Sequence, residues 1–124
     1  MTTLILHQSD DLIYTAAVLD ENGDAYDLTG ATLWFTAKRR RFDADADALA
    51  KLYWVSGGSS AGISVDDATT GEAVIRLTPS QTEDFVQAAH YWDLQLADTA
   101  GVVRTVDSGV LVVQPGVTAR TTTP

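Results

Sequence analysis

Hydrophobic and polar positions alternate with a period of two along most of this chain. Leu12, Tyr14, Ala16 and Val18 interleave with Ile13, Thr15, Ala17 and Leu19, so both faces of that stretch are largely apolar, as expected of a strand inside a sandwich. Asp20-Glu21-Asn22-Gly23-Asp24 breaks the pattern, and its Asn-Gly pair tolerates the positive φ values of a tight turn. After the bend at Leu28-Thr29-Gly30, Leu33, Phe35 and Ala37 point one way and Thr32, Trp34 and Thr36 the other, which places Trp34 on the less buried face. Short strands follow at Gly62 to Val65 and Glu72 to Leu77, with a polar turn over Asp66 to Gly71 between them. The clearest hairpin joins His90 to Leu96 with Val102 to Val106 across Asp98-Thr99-Ala100-Gly101. Asp107-Ser108-Gly109 then predicts a break before a last strand, Val110 to Gln114.

Two segments depart from this rhythm. Thr78 and Pro79 predict a short helix, because a proline at the first helical position gives up an N–H that is unpaired there anyway; Glu83 and Asp84 suit its early turns and it ends near Phe85 or Val86. Arg39 to Ser60 is the least regular region. A basic run leads into alternating Asp and Ala, then Leu49, Leu52 and Tyr53 at helical spacing, then Gly57-Gly58-Ser59-Ser60, which together predict a long excursion between strands with one or two helical turns.

About seven short strands and one brief helix predict an all-β fold. An antiparallel, immunoglobulin-like two-sheet sandwich is the first expectation, and a small β-barrel is the alternative because alternation does not reveal which strands pair. Residues 1–118 are expected to form a single domain and 119–124 a flexible C-terminal tail.

Composition narrows the function. The 124 residues carry 17 acidic and 8 basic side chains, a formal net charge of -9 that opposes contact with a phosphate backbone, so no nucleic-acid partner is expected. The one basic cluster, Lys38-Arg39-Arg40-Arg41, reads first as a solvated strand end or a salt-bridging edge, with contact to a phosphate or an acidic partner as the alternative. Cysteine is absent, which removes disulfides and thiolate metal sites. No signal peptide or membrane span is expected, since no basic start precedes an apolar stretch and no run reaches the roughly 20 apolar residues a span needs.

Candidate chemistry is thin. Asp43, Asp45 and Asp47 match the first, third and fifth ligands of an EF-hand loop, but Ala48 stands where the sharp-turn glycine belongs and Trp54 where the bidentate carboxylate belongs, so no metal is expected. Ser108, His90 and Asp93 supply the residue types of a hydrolytic triad without a nucleophile elbow. Adjacent carboxylates such as Asp10 and Asp11, or Asp66 and Asp67, alternate to opposite faces in a strand and lie in solvated turns. No enzyme and no cofactor is expected. Trp34, Trp54, Trp92, Tyr26, Tyr53 and Tyr91 serve first as core or interface, with sugar stacking as the competing use and Trp54, beside the glycine-rich loop, the one expected to escape the core.

Four stretches resemble a known group of proteins: Tyr26-Asp27-Leu28-Thr29-Gly30-Ala31-Thr32-Leu33-Trp34-Phe35, the strand from Gly71 to Leu77, Tyr91-Trp92-Asp93-Leu94-Gln95 with its Asp-and-Gly turn, and Gly109 to Thr118. Together they are similar to small immunoglobulin-like structural proteins of tailed bacteriophages, in particular the N-terminal domain of the phage baseplate upper-protein family. The resemblance implies a virion component assembled in the host cytoplasm, acting in the tail, baseplate or fibre-attachment region through contacts with other virion proteins and with copies of itself. A carbohydrate-binding module or a capsid decoration protein is the alternative. The expected assembly surface is the excursion, through Arg39, Arg40, Arg41, Phe42, Leu49, Leu52, Tyr53 and Trp54, because it gathers charge and apolar groups in a region not needed to complete the strands.

Overall fold

A computed structural model describes residues 2–85 and 88–115. Among them the chain forms nine strands, β1 (Thr2–His7), β2 (Leu12–Ala17), β3 (Thr32–Lys38), β4 (Ala50–Val55), β5 (Ser60–Ala61), β6 (Ile63–Ser64), β7 (Glu72–Leu77), β8 (Ala89–Ala97) and β9 (Val103–Gln114), and one short helix, α1 (Pro79–Thr82). They build a two-sheet sandwich: a six-stranded sheet in the order β1-β9-β8-β3-β4-β5 faces a three-stranded sheet in the order β2-β7-β6. The sandwich therefore prevails over the barrel. The expected tail, 119–124, lies outside the described residues. No helix among the described residues is long and apolar enough to cross a membrane.

The core is the set of inward positions that strand alternation selects. From the large sheet come Leu4 and Leu6, Leu111 and Val113, Trp92, Leu94 and Leu96, Leu33 and Phe35, and Leu52; from the small sheet come Leu12, Ala16, Ala73, Ile75, Leu77 and Ile63. Each fully buried Leu, Ile or Phe contributes about 1.5–3 kcal/mol relative to exposure. At the centre, the Trp92 ring stacks on Phe35 of its own sheet at 5.5 Å between centroids and meets Tyr14 of the opposite sheet edge-on at 5.4 Å. Aromatic pairs in these geometries stabilise by about 0.5–1.5 kcal/mol beyond their area. The Trp92 Nε1–H finds no acceptor among the described residues, a cost of about 1–3 kcal/mol that the packing must outweigh. Above the aromatics, the Tyr14 hydroxyl and Thr2 Oγ1 both donate to Asp107 Oδ2, at 2.5 and 2.9 Å, joining β1, β2 and β9 across the sandwich.

Local chemistry accounts for several connections. Asp20 accepts the N–H groups of Asn22 and Asp24, and Gly23 takes φ +83°, which closes the expected turn. Asp98 does the same for Ala100 and Val102 in the β8–β9 hairpin. At α1, the Thr78 N–H donates to Gln81 Oε1 at 2.8 Å, and Pro79 takes the first helical position as expected. The helix is shorter than expected, so Glu83 and Asp84 lie beyond its last residue. The chain crosses from β5 to β6 at Gly62, whose φ of +78° turns the backbone between sheets and whose bare Cα lies against Leu52.

Four features differ from the sequence expectation. First, β1 pairs in parallel with β9, from Thr2 opposite Gly109 to His7 opposite Gln114, so the sandwich is not wholly antiparallel. Second, Asp107-Ser108-Gly109 does not break the last strand; a register shift opposite Leu94 and Gln95 absorbs the irregularity and β9 runs on for 12 residues. Gly109 serves this pairing directly, because a Cβ there would overlap the Thr2 carbonyl. Third, β2 does not bury both faces: Ile13 is 62% exposed, since the small sheet covers the core with one side only. Fourth, residues 50–55 are a core strand rather than helical turns, with Ala50 and Leu52 inward.

Trp92→Ala is expected to destabilise the fold by about 3–5 kcal/mol, and Trp54→Ala, which removes a partly buried ring, by less, in chemical denaturation. Gly109→Ala should cost about 1–3 kcal/mol through overpacking and should raise amide exchange selectively in β1, as read by hydrogen exchange.

Candidate functional site

The region between β3 and β4 folds back over the outer face of the large sheet instead of projecting freely. Lys38 Nζ meets Asp45 Oδ1 at 2.6 Å, Arg39 Nη1 donates to the Ala89 carbonyl at 3.0 Å, and the Arg41 guanidinium lies 4.6 Å from the centroid of the Tyr91 ring. Asp43 Oδ2 accepts the Arg40 N–H, and a single turn of 3₁₀ helix spans Asp45–Asp47. Two of the three EF-hand-like carboxylates thus have partners of their own, and the turn replaces an open ligand loop.

The eight expected interface residues divide into four pairs. Arg40 and Phe42 face solvent at the tip, with Phe42 100% exposed. Arg39 and Arg41 are exposed yet anchored to β8, while Leu49 and Tyr53 stand at the surface. Leu52, however, belongs to the core, and Trp54 is half-buried and packs against it, because alternation along β4 turns both inward. The correction extends to the aromatics: Trp34, on the outer face of β3, is more exposed than Trp54.

Between the folded-back loop and the sheet lies an open cleft of about 420 Å³. Thr36, Asp93, Gln95 and Ser108 lie along its sheet side, and Arg41 and Asp45 reach it from the loop. Burial pushes the Asp93 carboxyl above the usual carboxylate range; Lys38 opposes the shift and Asp45 adds to it. A larger opening of about 720 Å³ lies at the β5–β6 corner, where Arg76 is committed to Asp11 and Gln81 to Thr78.

Tyr14, Asp107 and His90 are held by packing and hydrogen bonds inside the fold. Burial raises the Tyr14 phenol to about 12, and its hydrogen bond to Asp107 works in the same direction. Burial also raises Asp107, but hydrogen bonds from Tyr14, Thr2 and the Ser108 N–H outweigh it and hold the carboxyl below its usual range. His90 is fully buried against Phe85, with ring centroids 5.3 Å apart, and Nδ1 lies 3.1 Å from the Ala88 carbonyl. Burial lowers its pKa; the Ala88 carbonyl opposes that and Arg39 assists. His90 faces the core whereas Asp93 faces the outer cleft, so Ser108, His90 and Asp93 do not converge into a triad.

No protein-family model and no curated protein sequence matches the chain. In fold it is similar to the N-terminal domain of phage TP901-1 ORF48, with a TM-score of 0.54 and 13% identity over 91% of this chain and 85% of that one. It is also similar to a chain of a structure described as the structural basis of T cell specificity and activation by the bacterial superantigen toxic shock syndrome toxin-1, with a TM-score of 0.55 and 10% identity over 90% of this chain and 92% of that one. At such identities the likeness shows a shared sandwich fold.

Because His90 is held neutral, the unfolded chain binds the extra proton as pH falls below about 6.5, so this contribution to stability is present above that value and lost below it. Urea midpoints should fall between about pH 6.5 and 5, and His90→Gln should flatten that slope; a wild-type profile flat across the window would contradict the assignment. Chelator treatment should leave the melting temperature unchanged, and a drop reversed by calcium would show that the Asp43–Asp47 turn holds a metal.

Proposed function

We propose that this chain is a non-enzymatic structural component of a tailed-phage particle, acting by protein–protein assembly in the tail, baseplate or fibre-attachment region. The observation that carries this reading is the correspondence of the sandwich, over nearly its whole length, with the N-terminal domain of a phage protein. The sequence resemblance to phage baseplate domains points the same way.

The physical basis is a rigid sheet that presents a short, pinned loop. On a chain of net charge -9, four of the 8 basic residues are consecutive from Lys38 to Arg41 and are followed by a fully exposed Phe42. An exposed aromatic beside arginine is the composition of interface hot spots, and a basic tip suits an acidic face on a neighbouring virion protein or on another copy of this chain. Since Arg39 and Arg41 are already held on β8, less side-chain freedom is lost on docking.

The experiment is recovery of the chain from gradient-purified particles, with separated heads and tails measured by quantitative mass spectrometry. The chain should fractionate with tails at a fixed stoichiometry; recovery with heads would favour a decoration role, and absence from particles would overturn the reading. The double variant Arg40→Ala and Phe42→Ser should keep wild-type stability and reduce incorporation by about 30-fold or more, the effect of losing a 2 kcal/mol hot spot.

A further inference from the structure

The floor of the cleft carries four hydrogen-bonding side chains in adjoining register. Thr36 lies opposite Asp93, Asp93 lies opposite Ser108, and Gln95 follows Asp93 two residues along β8, so the row spans three strands on one face. None of these four side chains makes a hydrogen bond with another described residue. Several partly buried polar side chains elsewhere are engaged: Thr2 and Tyr14 on Asp107, Thr82 on the Asp10 carbonyl, and Gln81 on Thr78. A carboxylate drawn out of water without a donor is costly, and Asp93 bears that cost with only the charge of Lys38 to offset part of it.

We propose that this cleft binds a neutral saccharide unit, whose hydroxyls donate to Asp93 and exchange hydrogen bonds with Thr36, Gln95 and Ser108. Charge argues for a neutral ligand. Lys38 and Arg41 balance Asp45 and Asp93 around the opening, so neither an anion nor a cation gains from the net field. The row also mixes groups that donate and accept with one that only accepts, which matches hydroxyls in either role. A volume of about 420 Å³ falls within the usual range for small-ligand sites. Directly opposite Gln95 in the register, Trp34 is 38% exposed and supplies a flat apolar ring at the margin of the row. This site differs from the Trp54-centred surface expected from sequence, and it acts in the isolated chain whether or not the protein belongs to a particle.

The test is amide and indole chemical-shift mapping of the isolated chain during separate titrations with D-glucose, D-galactose, N-acetyl-D-glucosamine and L-rhamnose. At least one sugar should give saturable shifts centred on Thr36, Asp93, Gln95, Ser108 and the Trp34 indole. Asp93→Ala should weaken that binding by about tenfold or more while the melting temperature is maintained, since the substitution removes a carboxylate that lacks a hydrogen-bonding partner. Gln95→Ala should weaken it independently. The proposal is overturned if all four sugars give no saturable shift, if the shifts map to another face, or if Asp93→Ala binds as the wild type does. Saturable binding of a lysine-containing tripeptide at these residues, with no sugar response, would assign the cleft to a cationic peptide and also overturn it.

Discussion

The contact between Trp92 and Tyr14 across the sandwich sets the terms for the rest of the structure. A six-stranded sheet and a three-stranded sheet are unequal partners, and the indole fills the space between them where two aliphatic layers would leave a void. Phe35 supports the ring from the neighbouring strand, and the Tyr14 hydroxyl continues the connection to Asp107, where Thr2 adds the first strand. One short path thus ties β1, β2, β3, β8 and β9 together. It also explains a polar Asp-Ser pair inside the longest strand: Asp107 receives three hydrogen bonds there, which offset its desolvation.

With the inner face committed to packing, specialised chemistry is left to the outside of the large sheet. The β3–β4 loop is attached there at three points, through Asp45, Arg39 and Arg41, and its tip extends an unpaired aromatic into solvent. The same attachment creates the cleft. Two surfaces result from one loop: an outward basic and aromatic tip, the proposed contact with a protein neighbour, and an inward polar recess, the proposed saccharide site.

Much of this was legible in the sequence wherever local chemistry decides. The turns at Asn22-Gly23 and Asp98 to Gly101, the capping of α1 by Thr78 and Pro79, and the inward sets Leu33-Phe35-Ala37 and Trp92-Leu94-Leu96 follow from neighbours a few residues apart. Long-range pairing was not legible. β1 finds its partner about a hundred residues away in parallel, and no turn announces it. Gly109 suggested a break because glycine usually does, whereas here it admits the Thr2 backbone. Leu49, Leu52 and Tyr53 fit helical spacing, but Ala50, Leu52 and Trp54 also fit alternation, and pairing with β3 selects the strand. That choice is what buries Leu52 and partly buries Trp54. The cleft escaped the sequence for a related reason: Thr36, Asp93 and Ser108 are adjacent only through the order of β3, β8 and β9.

The sandwich is proposed to be an assembly module whose contact is the pinned β3–β4 loop. A cryo-EM map of the intact particle at side-chain detail tests it most directly. The expected map shows density for the two-sheet sandwich with Arg40 and Phe42 buried at a boundary with another subunit and Arg41 still stacked on Tyr91. A map in which the sandwich is present but that loop faces solvent, with the contact made through a sheet edge such as β2, would contradict it.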